Sequence, residues 1–129
     1  MLVVEDFDDL YELYSDFLAS AGFNVEGSST GKQAIEEARR VLPDVIIMDL
    51  GLPRANGWDA IHRLKSEPST RHIPVLALTA HVQPRFAELA RQAGADSVLG
   101  KPCTLDQLLR EIERLLSRAS ETDAPSAAT

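Results

Sequence analysis

Residues 44–49 read Asp-Val-Ile-Ile-Met-Asp. Val45 to Met48 form an unbroken apolar run between two acids, with no polar residue at alternate positions. A strand with that pattern is buried on both faces, as happens in a parallel sheet covered by helices on both sides. Pro43, just before the run, ends a helical stretch, and a further helix follows Gly57.

Upstream, Thr30 and Gln33 form a capping box that opens a helix with Ala34, Ile35, Ala38, Val41 and Leu42 on its inner face. Leu10, Leu13, Tyr14, Phe17, Leu18 and Ala21 recur at helical spacing, and Gly22 stops that helix as a C′ residue. Leu2-Val3-Val4 and Phe23-Asn24-Val25 read as short strands. Downstream, the helix carrying Ile61 and Leu64 stops before Pro68, and Ile73 to Leu78 is a further apolar strand. A helix from Pro84 to Ala93 ends at Gly94, and Ser97-Val98-Leu99 is a fifth strand. Thr104 and Gln107 form a second capping box, opening a helix with Leu105, Leu108, Leu109, Ile112, Leu115 and Leu116 on one face.

Five strands, each followed by a helix, predict one doubly wound α/β domain. Its parallel sheet is expected in the flavodoxin-like order 2-1-3-4-5, with five helices. The domain is expected over residues 1–118, and 119–129, rich in Ser, Ala, Thr and Pro, as a disordered tail.

The chain has 129 residues, 44% hydrophobic and 26% charged, which suits one globular domain. Its net charge of −7 argues against direct nucleic-acid binding, which needs clustered Lys and Arg. No apolar run approaches the roughly 20 residues of a membrane span, and no secretory signal is visible. The single Cys103 forms no internal disulfide, so the cytoplasm is the expected location.

In open α/β sheets the site lies at the carboxyl ends of the strands, near the point where strand order reverses. Those ends carry Glu5 and Asp6, Asp49, Thr79 and Lys101. Three carboxylates brought together repel, by roughly 4 kcal/mol per pair at 4 Å and an effective dielectric of 20. The set makes physical sense with a cation, and oxygen ligands suit Mg²⁺, which pairs with phosphate. Lys101 supplies a compact charge for phosphate oxygens, Thr79 a hydroxyl donor, and Asp49 a carboxylate able to form an acyl phosphate.

The stretches LVVED (2–6), DVIIMDLGLPRANGWD (44–59), IPVLALTA (73–80) and GADSVLGKP (94–102) together resemble the receiver domains of two-component response regulators. The resemblance runs from Leu2 to about Ser117. It implies that Asp49 accepts a phosphoryl group from the phosphohistidine of a sensor histidine kinase or phosphotransfer protein. Asp6 is then a direct Mg²⁺ ligand, Glu5 holds the metal through water, and the backbone carbonyl of Gly51 completes the protein ligands. Thr79 and Lys101 bind the phosphoryl group, and a cis bond is implied between Lys101 and Pro102. The implied role is a signalling switch working through helix four, strand five and helix five. Such a domain is not a conventional enzyme, though it catalyses its own phosphorylation and slow dephosphorylation. Two positions depart from the family pattern: Val98 and Cys103 stand where it usually has aromatics.

The alternative from another class is a phosphorylation-independent adaptor of receiver-like fold. A small-molecule phosphatase is a third reading; it would want an acid two residues after Asp49, where Gly51 stands. Cys103 reads as a small buried residue, His62 and His72 as surface residues, and Trp58 as packing. His81, two positions past Thr79, is where the family tunes hydrolysis of the aspartyl phosphate. Arg39-Arg40 reads as a solvated helix face near a C-terminus.

Overall fold

A computed structural model of the chain describes residues 1–5, 8–50, 57–80, 84–101 and 103–123. Within these, the order is β1 (Leu2–Val4), α1 (Asp8–Ser20), β2 (Glu26–Ser28), α2 (Gly31–Val41), β3 (Ile46–Asp49), α3 (Gly57–Ser66), β4 (Val75–Thr79), α4 (Pro84–Ala93), β5 (Ser97–Gly100) and α5 (Leu105–Asp123). The five strands form one parallel sheet in the order β2-β1-β3-β4-β5. Strand order therefore reverses between β1 and β3, which makes the gap beyond their carboxyl ends the switch point.

The apolar strands feed two cores. Leu2, Val4, Ile46, Met48, Val75 and Ala77 point to one face, where they meet Ala34, Ile35 and Ala38 of α2, Ala60, Ile61 and Leu64 of α3, and Ala90 of α4. Val3, Val45, Ile47, Leu76 and Leu78 point to the other, against Tyr14 and Leu18 of α1 and Leu108, Ile112 and Leu115 of α5. Both threonines cap their helices, and only the Thr104–Gln107 box is reciprocal. Gln33 N donates to Thr30 Oγ1 at 3.1 Å, and Gln107 N to Thr104 Oγ1 at 3.0 Å. Thr104 N donates back to Gln107 Oε1 at 2.8 Å, whereas the Gln33 amide oxygen accepts from Ser29 N at 3.2 Å.

Several sequence expectations shift. β2 is Glu26–Ser28, not residues 23–25. Gly22, at φ +100°, ends α1 in a Schellman turn: Gly22 N bonds Ala19 O at 3.0 Å and Phe23 N bonds Leu18 O at 3.1 Å. The Phe23 N–H is thereby spent on capping α1, and pairing with β1 begins only at Glu26, whose N–H reaches Met1 O at 2.9 Å. Leu13 and Leu42 belong to expected buried stripes but are 50% and 53% exposed. Leu13 falls outside the α1 stripe, which Leu10, Tyr11, Tyr14, Phe17 and Leu18 form. Leu42 leaves α2 in the left-handed region at φ 47°, which takes it off the helical stripe. Asp49 and Thr79 end their strands as expected, while β3 and β4 begin later than expected, at Ile46 and Val75. α5 runs to Asp123. Residues 124–129 lie outside the described residues. No helix among the described residues is long and apolar enough to cross a membrane.

Candidate functional site

Asp49 closes β3 and is 3% exposed. The ladder holds it there, because Asp49 pairs with Leu78 and the next residue, Leu50, donates its N–H to Leu78 O at 2.8 Å. Glu5 follows β1 directly and is 6% exposed, with its N–H on Ser28 O at 2.9 Å. Val4 pairs with Met48, so Glu5 comes level with Asp49 across the switch point. Thr79 ends β4 opposite Gly100 and is buried. Its carbonyl accepts the Lys101 N–H at 2.7 Å, which carries Lys101 off β5 alongside Thr79. From there Lys101 Nζ forms an ion pair with Asp49 Oδ2.

Four of the residues expected from strand-end reasoning thus gather at one edge of the sheet, two of them in direct contact. Adjacent strands lie about 4.8 Å apart, and two carboxylates at that separation would repel by roughly 3 kcal/mol at an effective dielectric of 20. Lys101 offsets part of this, and the three side chains together still carry net negative charge. Buried carboxylates with this charge balance fit a hard, oxygen-seeking cation such as Mg²⁺. Asp6 and Gly51 lie outside the described residues, as do His81 and Pro102. Among the described residues no group of three or more His, Cys, Asp or Glu is placed to hold a metal ion.

Two neighbours complete the surroundings. Burial pushes the Tyr14 phenol up to about 12, and the negative charges of Cys103, Asp49 and Glu5 act in the same direction. The sequence marks Tyr14 as a core residue alone; its place in the second turn of α1, the helix that follows β1, is the signal that it also borders the site. Burial likewise raises the Cys103 thiol, against the opposing charge of Lys101. Trp58 packs on the α2–α3–α4 core and His62 and His72 are exposed, as their sequence contexts suggest, whereas Cys103, expected to be buried, is only half-buried. Arg39 and Arg40 are also exposed, bridging to Glu67 and Glu37 respectively.

In a flavodoxin-like sheet an aspartate–lysine pair beside the switch point stands where such sheets bind their ligands. A family model of the response regulator receiver domain matches residues 1–113. TcrX of Mycobacterium tuberculosis, a probable transcriptional regulatory protein, is 38% identical over 130 residues, which cover 99% of this chain and 54% of TcrX. The chain therefore spans about half the length of that relative. The polar-differentiation response regulator DivK of Brucella ovis is 31% identical over 119 residues, 92% of this chain and 97% of DivK. Among solved structures, the receiver domain of the Pseudomonas aeruginosa sensor histidine kinase PA1611, with a magnesium ion coordinated in its active-site cleft, matches with a TM-score of 0.82. It is 32% identical, and the match covers 90% of this chain and 95% of that one. The chain belongs to the response regulator receiver domain family.

Proposed function

We propose that this domain is a cytoplasmic phosphoryl switch, accepting a phosphoryl group on Asp49 from the phosphohistidine of a sensor histidine kinase or phosphotransfer protein. The observation that carries the reading is the Asp49–Lys101 pair at the carboxyl edge of the sheet. An Asp49 carboxylate oxygen forms the new P–O bond while the P–N bond of the donor breaks and its electron pair returns to the imidazole. Lys101 Nζ is placed to follow the negative charge onto the phosphoryl oxygens, and the Thr79 hydroxyl to donate a hydrogen bond to them. Glu5 and Asp49, with Asp6 and the Gly51 carbonyl, would hold Mg²⁺. When bound, that ion neutralises the acidic site and the incoming phosphate charge.

Phosphorylation then alters the surface of α4, β5 and α5. Val98, half-buried against the α2–α3–α4 core, is β-branched and stiff at χ1. It offers no aromatic ring to rotate, so the change leaves the site through Thr79 and the segment leading into α4.

The test is intact mass after incubation with Mg²⁺ and acetyl phosphate. One phosphoryl group should be gained, and the gain should vanish in Asp49→Asn and in excess EDTA. Undiminished uptake in either condition, or none in the unaltered chain, refutes the proposal.

A further inference from the structure

The far end of the sheet carries a polar cluster that the chemistry above does not use. Lys65, in the last turn of α3, donates from Nζ to Ile73 O at 2.7 Å, to Arg71 O at 3.2 Å and to Asp96 Oδ2 at 2.7 Å. The same Asp96 oxygen accepts the Val75 N–H at 2.8 Å, and Asp96 N donates to Val75 O at 2.9 Å. Asp96 is thus fastened to the first residue of β4 by both its backbone and its side chain. The Lys65 stem passes close over Gly94: a Cβ at that position would sit 2.7 Å from Lys65 Cγ. Gly94 itself is at φ +117°, in the turn that ends α4.

The strand this cluster precedes needs such a fastening. β5 is a four-residue edge strand, Ser97–Gly100, and its two apolar residues are consecutive. Val98 faces the α2–α3–α4 core and Leu99 the α1–α5 core, both half-buried. A slip of one residue would still place an apolar side chain on either face, so burial specifies the register of β5 weakly. Yet the register decides the site. With Thr79 opposite Gly100, Lys101 leaves the sheet beside Thr79 and reaches Asp49. A one-residue slip would move Lys101 by about 3.3 Å and turn its side chain to the other face. Fixing register is the best-attested use of buried polar and ionic groups, and Lys65 is the sheltered half of this pair, its side chain 17% exposed against 36% for Asp96.

We propose that Lys65 and Asp96 are positioning residues for phosphoryl uptake, setting the register of β5 on β4 and thereby holding Lys101 against Asp49 from about 16 Å away along the strand. The functional part rests on the phosphoacceptor reading; the register part does not.

Lys65→Met keeps the stem over Gly94 and removes the ammonium; Asp96→Asn keeps an acceptor for Val75 N–H and removes the charge. In protein labelled at lysine Cε and Nζ, the Lys101 signal should move in each variant toward its position in Asp49→Asn, while the Lys32 signal stays still. Phosphoryl uptake from acetyl phosphate should slow by about tenfold to a hundredfold, the range expected for misplacement of a reacting group. Thr104→Ala, which weakens α5 without touching β5, controls for general destabilisation and should leave the Lys101 signal in place. An unmoved Lys101 signal in the variants overturns the proposal, as does an equal shift in Thr104→Ala. If Lys65→Met fails to fold, Asp96→Asn decides. If the unaltered chain takes up no phosphoryl group, the phosphoacceptor reading fails, and the Lys101 signal still judges the register.

Discussion

Lys101→Met is the most direct probe of the buried pair, because it keeps most of the stem and removes only the charge. The Asp49 side chain is 4% exposed and that of Lys101 23%. Removing one partner from a buried ion pair costs roughly 3–5 kcal/mol, because the other charge is left behind in a poor solvent. Lys101 is partly wet, so water takes over some of its role, and about 2–3 kcal/mol is expected here. Glu5, level with Asp49 across β1 and β3, pushes the cost upward, since its repulsion is no longer offset. Against a domain stability of about 5–15 kcal/mol, the variant remains folded. With a urea slope of about 1–3 kcal/mol per molar, the unfolding midpoint falls by about 0.7–3 M. In an Asp49→Asn background the same substitution should cost less than about 1 kcal/mol, because a neutral amide needs no counter-charge. Equal losses in the two backgrounds would refute the pairing argument: Lys101 would then act through its stem, and the ion pair would carry no net stability.

The Tyr14 phenol and the α5 cap give two further outcomes. Burial, reinforced by Cys103, Asp49 and Glu5, pushes Tyr14 from 10.0 up to about 12. Below pH 10 the phenol is neutral in both folded and unfolded chains; between pH 10 and about 12 the unfolded chain releases the proton first. Stability should therefore fall across that window and fall less in Tyr14→Phe, with denaturant midpoints and phenolate absorbance as the measurements. Thr104→Ala removes the acceptor for Gln107 N and should cost about 1 kcal/mol in the same unfolding assay, with uptake at Asp49 unchanged.

The parts of the fold that could be read in advance are those where one residue's environment is set by near neighbours. The run from Val45 to Met48 announces burial on both faces because it has no polar alternation. The side chains of Thr30 and Thr104 bond backbone three positions ahead, so their caps are written locally. Asp49, Thr79 and Lys101 were legible as a set because the doubly wound topology sends every strand's carboxyl end to one edge. β2 was not, because Glu26 and Gly27 have little strand preference of their own and are recruited by β1. Phe23 and Val25, which do have that preference, pack against the α1–α5 core instead.

The Lys65–Asp96 cluster marks the limit of such reading most clearly. Its two charged members are 31 positions apart, and three of the groups they engage are backbone atoms, which no side-chain pattern reveals. The pattern of β5 itself is silent for a physical reason: Val98 and Leu99 can exchange faces with little change in burial energy, so hydrophobicity does not choose between registers. An ion pair can choose, because its hydrogen bonds are directional and a displacement of one residue breaks those that Asp96 makes. The sheet thus divides its labour along its length. The carboxyl end tolerates two neighbouring buried carboxylates, an arrangement that hydrophobic packing alone would not hold. The amino end supplies directional contacts that keep the strand delivering the compensating lysine from settling one step away.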